Sequence, residues 1–219
     1  MQGELVEKTR SLGEALSEIR KLYGALDADL EEARRLQLSL LRDTHRRFAG
    51  ADVTLWLRPS GHVGGDMVGF FEADEDTLGF YALDVSGHGV AAAMVVARAA
   101  GMLSDAAPGQ NLALSHRGAG RYVALPPDRV AARLNDQLLS ELRSERYLTL
   151  CLGFLDRRTG EVRMVQAGHP SPIVLRRNGE VERVGAGGMP VGLFADAQFD
   201  TFTLRLAAGD RLLIYSDGL

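Results

Sequence analysis

The amino-acid sequence predicts an α+β protein: an antiparallel β-sandwich flanked by helices and preceded by one long N-terminal helix. The first observation behind this prediction is that residues 1–48 contain no proline and repeat apolar side chains at a helical spacing. The second is that short apolar runs, separated by Gly-rich and Asn-Gly turns, make up most of the remaining chain and surround two helical segments. Meanders of strands with helices between them are typical of an α+β architecture.

Composition narrows the function classes before any motif is considered. The chain has 219 residues, of which 46% are hydrophobic and 25% charged, and its formal net charge is -4. This weakly acidic balance predicts no nucleic-acid partner, and the absence of a long apolar run predicts no insertion into a membrane. The one cysteine, Cys151, has no partner for an internal disulfide, which favours a reducing compartment and predicts a cytoplasmic location.

Residues 1–48 form the first predicted region, a helical linker. Two sets of positions, each spaced by seven residues, form a seam along it: Leu5, Leu12, Ile19, Leu26, Ala33 and Leu40, and Thr9, Leu16, Tyr23, Leu30 and Gln37. Such a seam predicts a coiled coil, and hence a homodimer through the N-terminal helix. The alternative is one amphipathic helix that packs against its own domain.

Residues 49–219 form the second predicted region, a folded domain. Its predicted strands share an alternating or continuous apolar pattern and cover residues 52–59, 67–74, 78–85, 147–156, 160–168, 172–179, 199–206 and 210–217. Helices are predicted over residues 90–104 and about 127–143, the second with Pro127 in its first turn. Residues 105–125 are predicted to be a loop.

Three aspartates lie at the ends of these apolar strands, each close to glycine. Asp66 follows two glycines at the head of a strand, Asp84 comes near the end of a buried strand, and Asp217 ends a strand before a glycine. An ionised carboxylate in such a place costs free energy unless it is paired, protonated or bound to a metal. Clustered carboxylates and backbone carbonyls are ligands of hard cations such as Mg²⁺ or Mn²⁺. Each aspartate could instead cap backbone N–H groups in a turn, and the pattern alone leaves both interpretations open.

A series of motifs adds a resemblance to this pattern. They are "VGGD", "ALDVSGHGVAAAM", "LNDQLLSEL", "YLTLCLGFLDRRTGEVRMVQAGHPSPIVLRRNGEV", "PVGL" and "LAAGDRLLIYSDGL". In this order they resemble the SpoIIE/RsbU-type bacterial serine phosphatases, which belong to the metal-dependent, two-C (PPM) class of protein serine/threonine phosphatases. The resemblance covers about residues 36–219.

The resemblance implies a fold, a site and a reaction. The fold is a β-sandwich between helices, with two Mn²⁺ or Mg²⁺ ions at one end of a complete domain. The metal ligands that it implies are Asp66, Asp84, the carbonyl of Val85 and Asp217, with Asp66 and Asp84 as the catalytic residues and Asp84 bridging both ions. A metal-activated water would displace the serine or threonine oxygen in line from phosphorus, without a phosphoenzyme. The expected substrate is a phosphorylated STAS-type anti-sigma-factor antagonist.

The sequence departs from the family pattern at its end. Family members continue past the "SDGL" motif to a last metal-binding aspartate, whereas this sequence ends at Leu219. The expectation is therefore a PPM-type phosphatase domain over residues 49–219 that is truncated at its C-terminus and lacks one ligand. Two alternatives stay open: a phosphatase-like binding module without turnover, and a metal-dependent hydrolase of small phosphate esters.

Five other polar residues near these motifs are given structural interpretations. His88 and His169 lie in Gly-rich turns, and we expect them to shape those turns rather than to act as acid or base. Arg58 is expected to be a solvated strand end rather than a phosphate contact. Ser86 and Ser216 neighbour the aspartates, but no base is adjacent in the sequence to activate them as nucleophiles.

Overall fold

The computed structural model describes residues 2–41, 43–59, 61–142 and 146–218. Its centre is a five-stranded antiparallel sheet in the order β11-β8-β7-β4-β3, beside a three-stranded sheet in the order β10-β9-β12. Two hairpins, β1-β2 and β5-β6, complete the strands of the described chain. The strands are β1 His45–Phe48, β2 Ala51–Thr54, β3 Asp66–Glu72, β4 Thr77–Val85, β5 Leu114–His116, β6 Tyr122–Ala124, β7 Leu148–Asp156, β8 Glu161–Ala167, β9 Ile173–Leu175, β10 Val181–Arg183, β11 Thr201–Arg205 and β12 Arg211–Leu213.

Three α-helices accompany the sheets in the described ranges: α1 Gln2–Ser39, α2 Val90–Met102 and α3 Pro127–Leu142. Pro127 begins α3 as predicted, because its missing N–H would have no partner in the first turn anyway. Residue 143, the predicted end of this helix, lies outside the described residues, as do residues 1, 42 and 219. No helix in the described chain combines the length and the apolar character that a membrane crossing requires.

One face of the five-stranded sheet packs against α2 and α3 to form the main core. Odd-numbered residues of β3 and β4, such as Met67 and Leu83, point to this face, as do even-numbered residues of β7, such as Leu150. The helices contribute buried residues, among them Val96 and Leu134. Because side chains alternate along a strand, the intervening residues of β3, β4 and β7 point to the opposite face.

The opposite face carries a second, smaller apolar cluster. Cys151, Val162 and Met164 are buried there, and Leu212 and Ile214 from β12 and the chain after it pack on them. The sheet is therefore covered by helices on one side and by chain of the three-stranded sheet on the other. This arrangement confirms the predicted α+β sandwich with a long N-terminal helix.

Several predicted boundaries differ from the structure. The predicted helical region 1–48 gives way to β1 at residue 45, because residues 45–48 pair with residues 51–54. Strands predicted over 52–59, 172–179 and 210–217 are shorter, since each bends into a loop or turn after three or four residues. The predicted loop 105–125 contains the hairpin β5-β6 and a single 3₁₀ turn, Pro108–Gln110. The arms of that hairpin have three residues each, too few to show an alternating pattern.

Helix α1 changes its surroundings along its length. From Leu12 to Leu26 its side chains are exposed, whereas its last turns lie against the domain. Gln37 is only 5% exposed, and its side-chain amide makes two hydrogen bonds to Gly64: Nε2 donates to the carbonyl at 2.7 Å, and Oε1 accepts from the N–H at 3.0 Å. Gln37, which the seven-residue spacing assigns to the surface that faces a partner helix, thus contacts the loop around Gly64 of its own chain.

Candidate metal centre

The register of the central sheet places three polar residues side by side. Asp66 of β3 lies directly opposite Asp84 of β4, and Asp84 lies directly opposite Thr149 of β7. All three belong to the face turned away from α2 and α3, at the end of the sheet where β4 runs into the turn before α2. Directly opposed residues have their Cβ atoms about 4.5–5.5 Å apart, so the two carboxylates are neighbours in space.

Burial and neighbouring carboxylates raise the pKa of both aspartates. Partial burial, together with the charges of Asp66 and Asp217, raises the pKa of Asp84 to about 6. Burial also raises the pKa of Asp66; a hydrogen bond from Ser216 opposes that rise and the charge of Asp217 adds to it. Two like charges facing each other in a sheet are destabilising, and a cation between them would remove the repulsion.

Backbone oxygens converge on the same place because Gly65 has no side chain. A Cβ atom built on Gly65 would lie 2.7 Å from the carbonyl oxygen of Val85, 3.2 Å from that of Gly87 and 3.5 Å from Asp84 Oδ1. Any other residue would push these oxygens apart, so glycine is required here for close approach. Two carbonyl oxygens and a carboxylate oxygen close to one glycine are donors of the kind that a hard cation prefers.

The third predicted aspartate reaches the group from the end of the small sheet. Asp217 is exposed and lies near enough to raise the pKa of both Asp66 and Asp84 by its charge. Among the described residues, no three Asp, Glu, His or Cys side chains are grouped closely enough to hold a metal together. The arrangement therefore consists of one tight carboxylate pair with backbone oxygens, and a third carboxylate farther away.

One carboxylate oxygen of Asp66 has the surroundings expected of a metal ligand. Asp66 Oδ1 is buried and has no hydrogen-bond partner among the described residues. A buried carboxylate oxygen without a partner costs free energy that a bound cation would recover. The donor set around Gly65 and this oxygen together fit a hard divalent cation.

His169 lies at the edge of this group and is more deeply buried than a turn residue usually is. It is 3% exposed, and its Nδ1 is 2.8 Å from the hydroxyl of Thr149. Burial lowers the pKa of His169 to about 4, while the Asp217 charge and the Tyr215 backbone oppose this shift. Its backbone carbonyl accepts a hydrogen bond from Gln166 Nε2 at 2.7 Å. His169 is thus a buried, neutral ring whose Nδ1 contacts Thr149 and whose Nε2 has no hydrogen-bond partner among the described residues.

Of the remaining four residues, two are exposed and two make hydrogen bonds next to the aspartates. His88 is exposed in the turn after β4, and Arg58 is exposed in the chain that follows β2. Ser216 donates a hydrogen bond to Asp66, and the hydroxyl of Ser86 accepts one from the N–H of Tyr147.

Sequence reasoning missed Gln37, Thr149 and Gln166 as parts of this site. Each is a polar residue within an apolar pattern: Gln37 in the helical seam, and Thr149 and Gln166 in buried strands. A polar side chain that interrupts such a pattern must find a hydrogen-bond partner when buried, and this was the available signal.

Solved structures share this architecture. The SiaA-PP2C domain of Pseudomonas aeruginosa superposes with a TM-score of 0.65 at 19% identity, covering 86% of this chain and 70% of that one. RsbX, solved in complex with magnesium, gives a TM-score of 0.54 at 16% identity, covering 72% of this chain and 68% of that one. The chain thus shares its fold with the SiaA-PP2C domain and with RsbX.

Sequence comparison identifies a family for the chain. The family model described as Stage II sporulation protein E (SpoIIE) matches residues 74–219. The chain therefore belongs to the SpoIIE family, which confirms the resemblance seen in the motifs. Phosphoserine phosphatase RsbP of Bacillus subtilis (strain 168) is 26% identical over 197 residues, covering 87% of this chain and 45% of that protein. The chain thus spans less than half the length of this curated relative.

Proposed function

We propose that the chain is a metal-dependent protein serine/threonine phosphatase. The observation that carries this proposal is the pairing of Asp66 with Asp84 beneath the carbonyls that converge on Gly65. Membership of the SpoIIE family and the similarity to RsbP, a phosphoserine phosphatase, support it. A site of paired carboxylates and carbonyl oxygens suits phosphoryl transfer, in which catalysis is mostly positioning and charge neutralisation.

The proposed ligands for Mn²⁺ or Mg²⁺ are Asp66, Asp84, the carbonyl of Val85 and Asp217. When bound, such cations neutralise phosphate charge and lower the pKa of coordinated water. In this proposal Asp84, which lies between Asp66 and Thr149 in the sheet, would contact both ions. Asp217 would complete the set from the chain after the small sheet, and its exposure leaves room for a substrate to approach. The magnesium complex of RsbX supports a divalent cation in this fold.

The proposed substrate is a phosphoserine or phosphothreonine on a regulatory protein in the cytoplasm, of the kind represented by STAS-type anti-sigma-factor antagonists. Its support is the resemblance to the SpoIIE/RsbU-type phosphatases and the phosphoserine specificity in the name of RsbP. Displacement of the serine oxygen by water requires no covalent enzyme intermediate, and the site offers carboxylates and carbonyls rather than an activated nucleophile.

Phosphate release tests the proposal. Wild type, Asp84→Asn and Asp52→Asn are assayed with Mn²⁺ on p-nitrophenyl phosphate and on a phosphorylated STAS protein. Asp52 is an exposed partner of Arg47 at 3.0 Å and serves as the matched control. Asp84→Asn is expected to lower kcat/KM at least about 100-fold, since even residues behind metal ligands contribute 10–100-fold. Asp52→Asn should change it less than about two-fold, because exposed ion pairs contribute little.

The outcomes separate the alternatives. Turnover that survives EDTA or Asp84→Asn contradicts the proposal. Hydrolysis of p-nitrophenyl phosphate and nucleotides, but not of the phosphoprotein, indicates a small-ester hydrolase. Mn²⁺ binding without turnover of any substrate indicates a binding module.

We also propose that α1 joins two copies of the chain as a coiled coil. Five seam residues are 46–68% exposed, namely Leu12, Leu16, Ile19, Tyr23 and Leu26. A stripe of large apolar side chains on a free helix face is covered most simply by the same stripe of a second copy. The double variant Leu16→Asp with Leu26→Asp should be monomeric in light scattering, whereas Ala28→Asp on the outer face should not differ from wild type. A dimer that persists in the double variant contradicts this proposal.

Such a dimer would be coupled to the proposed site. Gln37 holds Gly64, which stands two residues before Asp66, so a rotation of α1 would pull on the loop that carries a proposed ligand. We expect Gln37→Ala to lower kcat/KM without changing the oligomeric state. Unchanged kinetics in Gln37→Ala would contradict the coupling.

A further inference from the structure

Three polar groups of Ser86 are held by one short segment of the chain. Its N–H donates to the carbonyl of Tyr147 at 2.8 Å, and its hydroxyl accepts from the N–H of Tyr147 at 3.1 Å. Its carbonyl accepts from Arg146 Nη1 at 2.7 Å. Ser86 follows Val85 directly, so this segment fixes the backbone immediately beyond the proposed metal-binding carbonyl.

Because peptide bonds are planar, these hydrogen bonds also fix the direction of the Val85 carbonyl near Gly65. The carbonyl of Val85 and the N–H of Ser86 belong to one planar trans peptide, in which they point in opposite directions. The hydrogen bond of the Ser86 N–H to Tyr147 therefore aims the Val85 carbonyl away from β7, towards Gly65. The N–H of Val85 itself donates to the Gly65 carbonyl at 2.9 Å, which fixes the preceding peptide in the same way.

Arg146 fixes the next peptide. The carbonyl of Ser86 and the N–H of Gly87 share a plane, and the guanidinium bonds to that carbonyl. Gly87 has a φ of +89°, and a Cβ built on it would collide with the guanidinium of Arg146. The side chain of Arg146 thus lies over Gly87, the residue whose own carbonyl is the second backbone oxygen facing Gly65.

We propose that Arg146 is a positioning residue for the metal centre, acting on the Val85 and Gly87 carbonyls through the Ser86–Gly87 peptide. This inference rests on the proposed function, because it assigns these carbonyls to a bound cation. Tyr147 contributes through its backbone, so Arg146 is the side chain in this segment whose removal tests the role. Without it, the glycine-containing turn gains conformational freedom, and the oxygens must be ordered when the cation binds.

Calorimetric titration with Mn²⁺ is the direct test, applied to wild type, Arg146→Ala, Arg146→Lys and Arg205→Ala. Arg205 is the matched control: its Nε donates to the carbonyl of Thr159 at 3.2 Å, and it lies on β11, at the other edge of the sheet. Arg146→Ala should raise the Kd for Mn²⁺ about 10–100-fold, the range found for residues that orient metal ligands. Arg146→Lys should recover part of this loss, and Arg205→Ala should bind like wild type.

Several results would overturn the role of Arg146. The guanidinium charge repels a cation, so unchanged or tighter Mn²⁺ binding in Arg146→Ala excludes positioning. An unchanged Kd for Mn²⁺ with a raised KM for p-nitrophenyl phosphate would make Arg146 a substrate contact instead. If Arg146→Ala shows no cooperative thermal transition and is therefore unfolded, Arg146→Lys is used for the test instead. We then expect a smaller rise in the Kd for Mn²⁺. A wild-type Kd in Arg146→Lys would exclude the positioning role. If wild type binds no Mn²⁺ and releases no phosphate, the proposed function itself fails.

Discussion

Leu83 and Asp84 are consecutive residues of β4, yet they serve opposite faces of the same sheet. Leu83 is 1% exposed and packs in the core beneath α2 and α3. Asp84 points to the other face, where Asp66 opposes it and burial raises its pKa to about 6. The comparison shows how one strand stabilises the fold with alternate residues while the residues between them form a site that costs stability.

Leu83→Ala should break the helix-covered face and leave the acidic face intact. Truncating a fully buried leucine typically costs about 2–5 kcal/mol, so the free energy of unfolding should fall by that amount in a urea titration. The kcat of the molecules that remain folded should stay close to that of wild type, because Leu83 does not reach the carboxylates. A large loss of kcat in fully folded Leu83→Ala would show that the two faces are not independent.

Gly65→Ala should damage the acidic face with a single methyl group. The added Cβ would lie 2.7 Å from the Val85 carbonyl oxygen, and that oxygen must move to relieve the contact. We expect Mn²⁺ affinity to fall about 10–100-fold, a loss comparable to that of disturbing residues around metal ligands. Gly61→Ala in the same loop, where nothing lies within 4 Å of the new Cβ, is the control and should bind Mn²⁺ normally.

Asp84→Asn should increase stability while it removes activity. The folded-state pKa of Asp84 is raised, so its ionised form destabilises the fold above about pH 6, and the cost is relieved as the pH falls through that value. In EDTA, the Tm of Asp84→Asn should exceed that of wild type at pH 7.5, by about 2–4 °C for each kcal/mol recovered. The difference should shrink towards pH 5.

The pH comparison needs both proteins because His169 acts in the opposite direction. Its pKa is lowered to about 4, so it costs stability as the pH falls through the ordinary histidine range. That effect is common to wild type and Asp84→Asn and cancels in the difference of Tm. A difference that stays constant from pH 7.5 to pH 5 would contradict the assigned pKa of Asp84.

Thr149→Val should have the smallest effect, confined to the acidic face. The variant keeps the shape of the side chain but removes the hydroxyl that lies 2.8 Å from His169 Nδ1. Leaving a buried ring nitrogen without its partner should cost about 1–3 kcal/mol of unfolding free energy. Thr203→Val, on the edge strand β11, is the control and should be near neutral. Wild-type stability in Thr149→Val would show that the contact between Thr149 and His169 does not stabilise the fold.

The strand alternation and the acidic positions could be predicted from the sequence because they are local. Asp66 and Asp84 interrupt apolar strands beside glycines, and this signal is visible without the fold. Their pairing across β3 and β4 depends on the strand register, which the local sequence pattern does not fix. The convergence of two carbonyls on Gly65 needs the tertiary arrangement of the turn before α2.

Other parts of the structure leave a weaker trace in the sequence. Gln37 fits the seven-residue spacing of the seam, so the sequence does not distinguish it from a residue that faces a partner helix. In the structure its side-chain amide bonds to Gly64 instead. The arms of the hairpin β5-β6 are too short and too mixed in polarity to show a period. Arg146 lies between a helix and a strand, and its role depends on Ser86, 60 residues earlier in the chain.

Cys151 gives the protein a practical property. Its thiol is buried in the smaller apolar cluster, and burial raises its pKa to about 12, so it exists almost entirely as the unreactive thiol at neutral pH. A thiol introduced by Ala28→Cys, on the exposed outer face of α1, would therefore be modified selectively by a maleimide or a nitroxide reagent without first removing the native cysteine. If two helices pair along the seam, their axes lie about 8–10 Å apart. Spin coupling between the labels would then report the association directly, because Cys151 itself is not labelled.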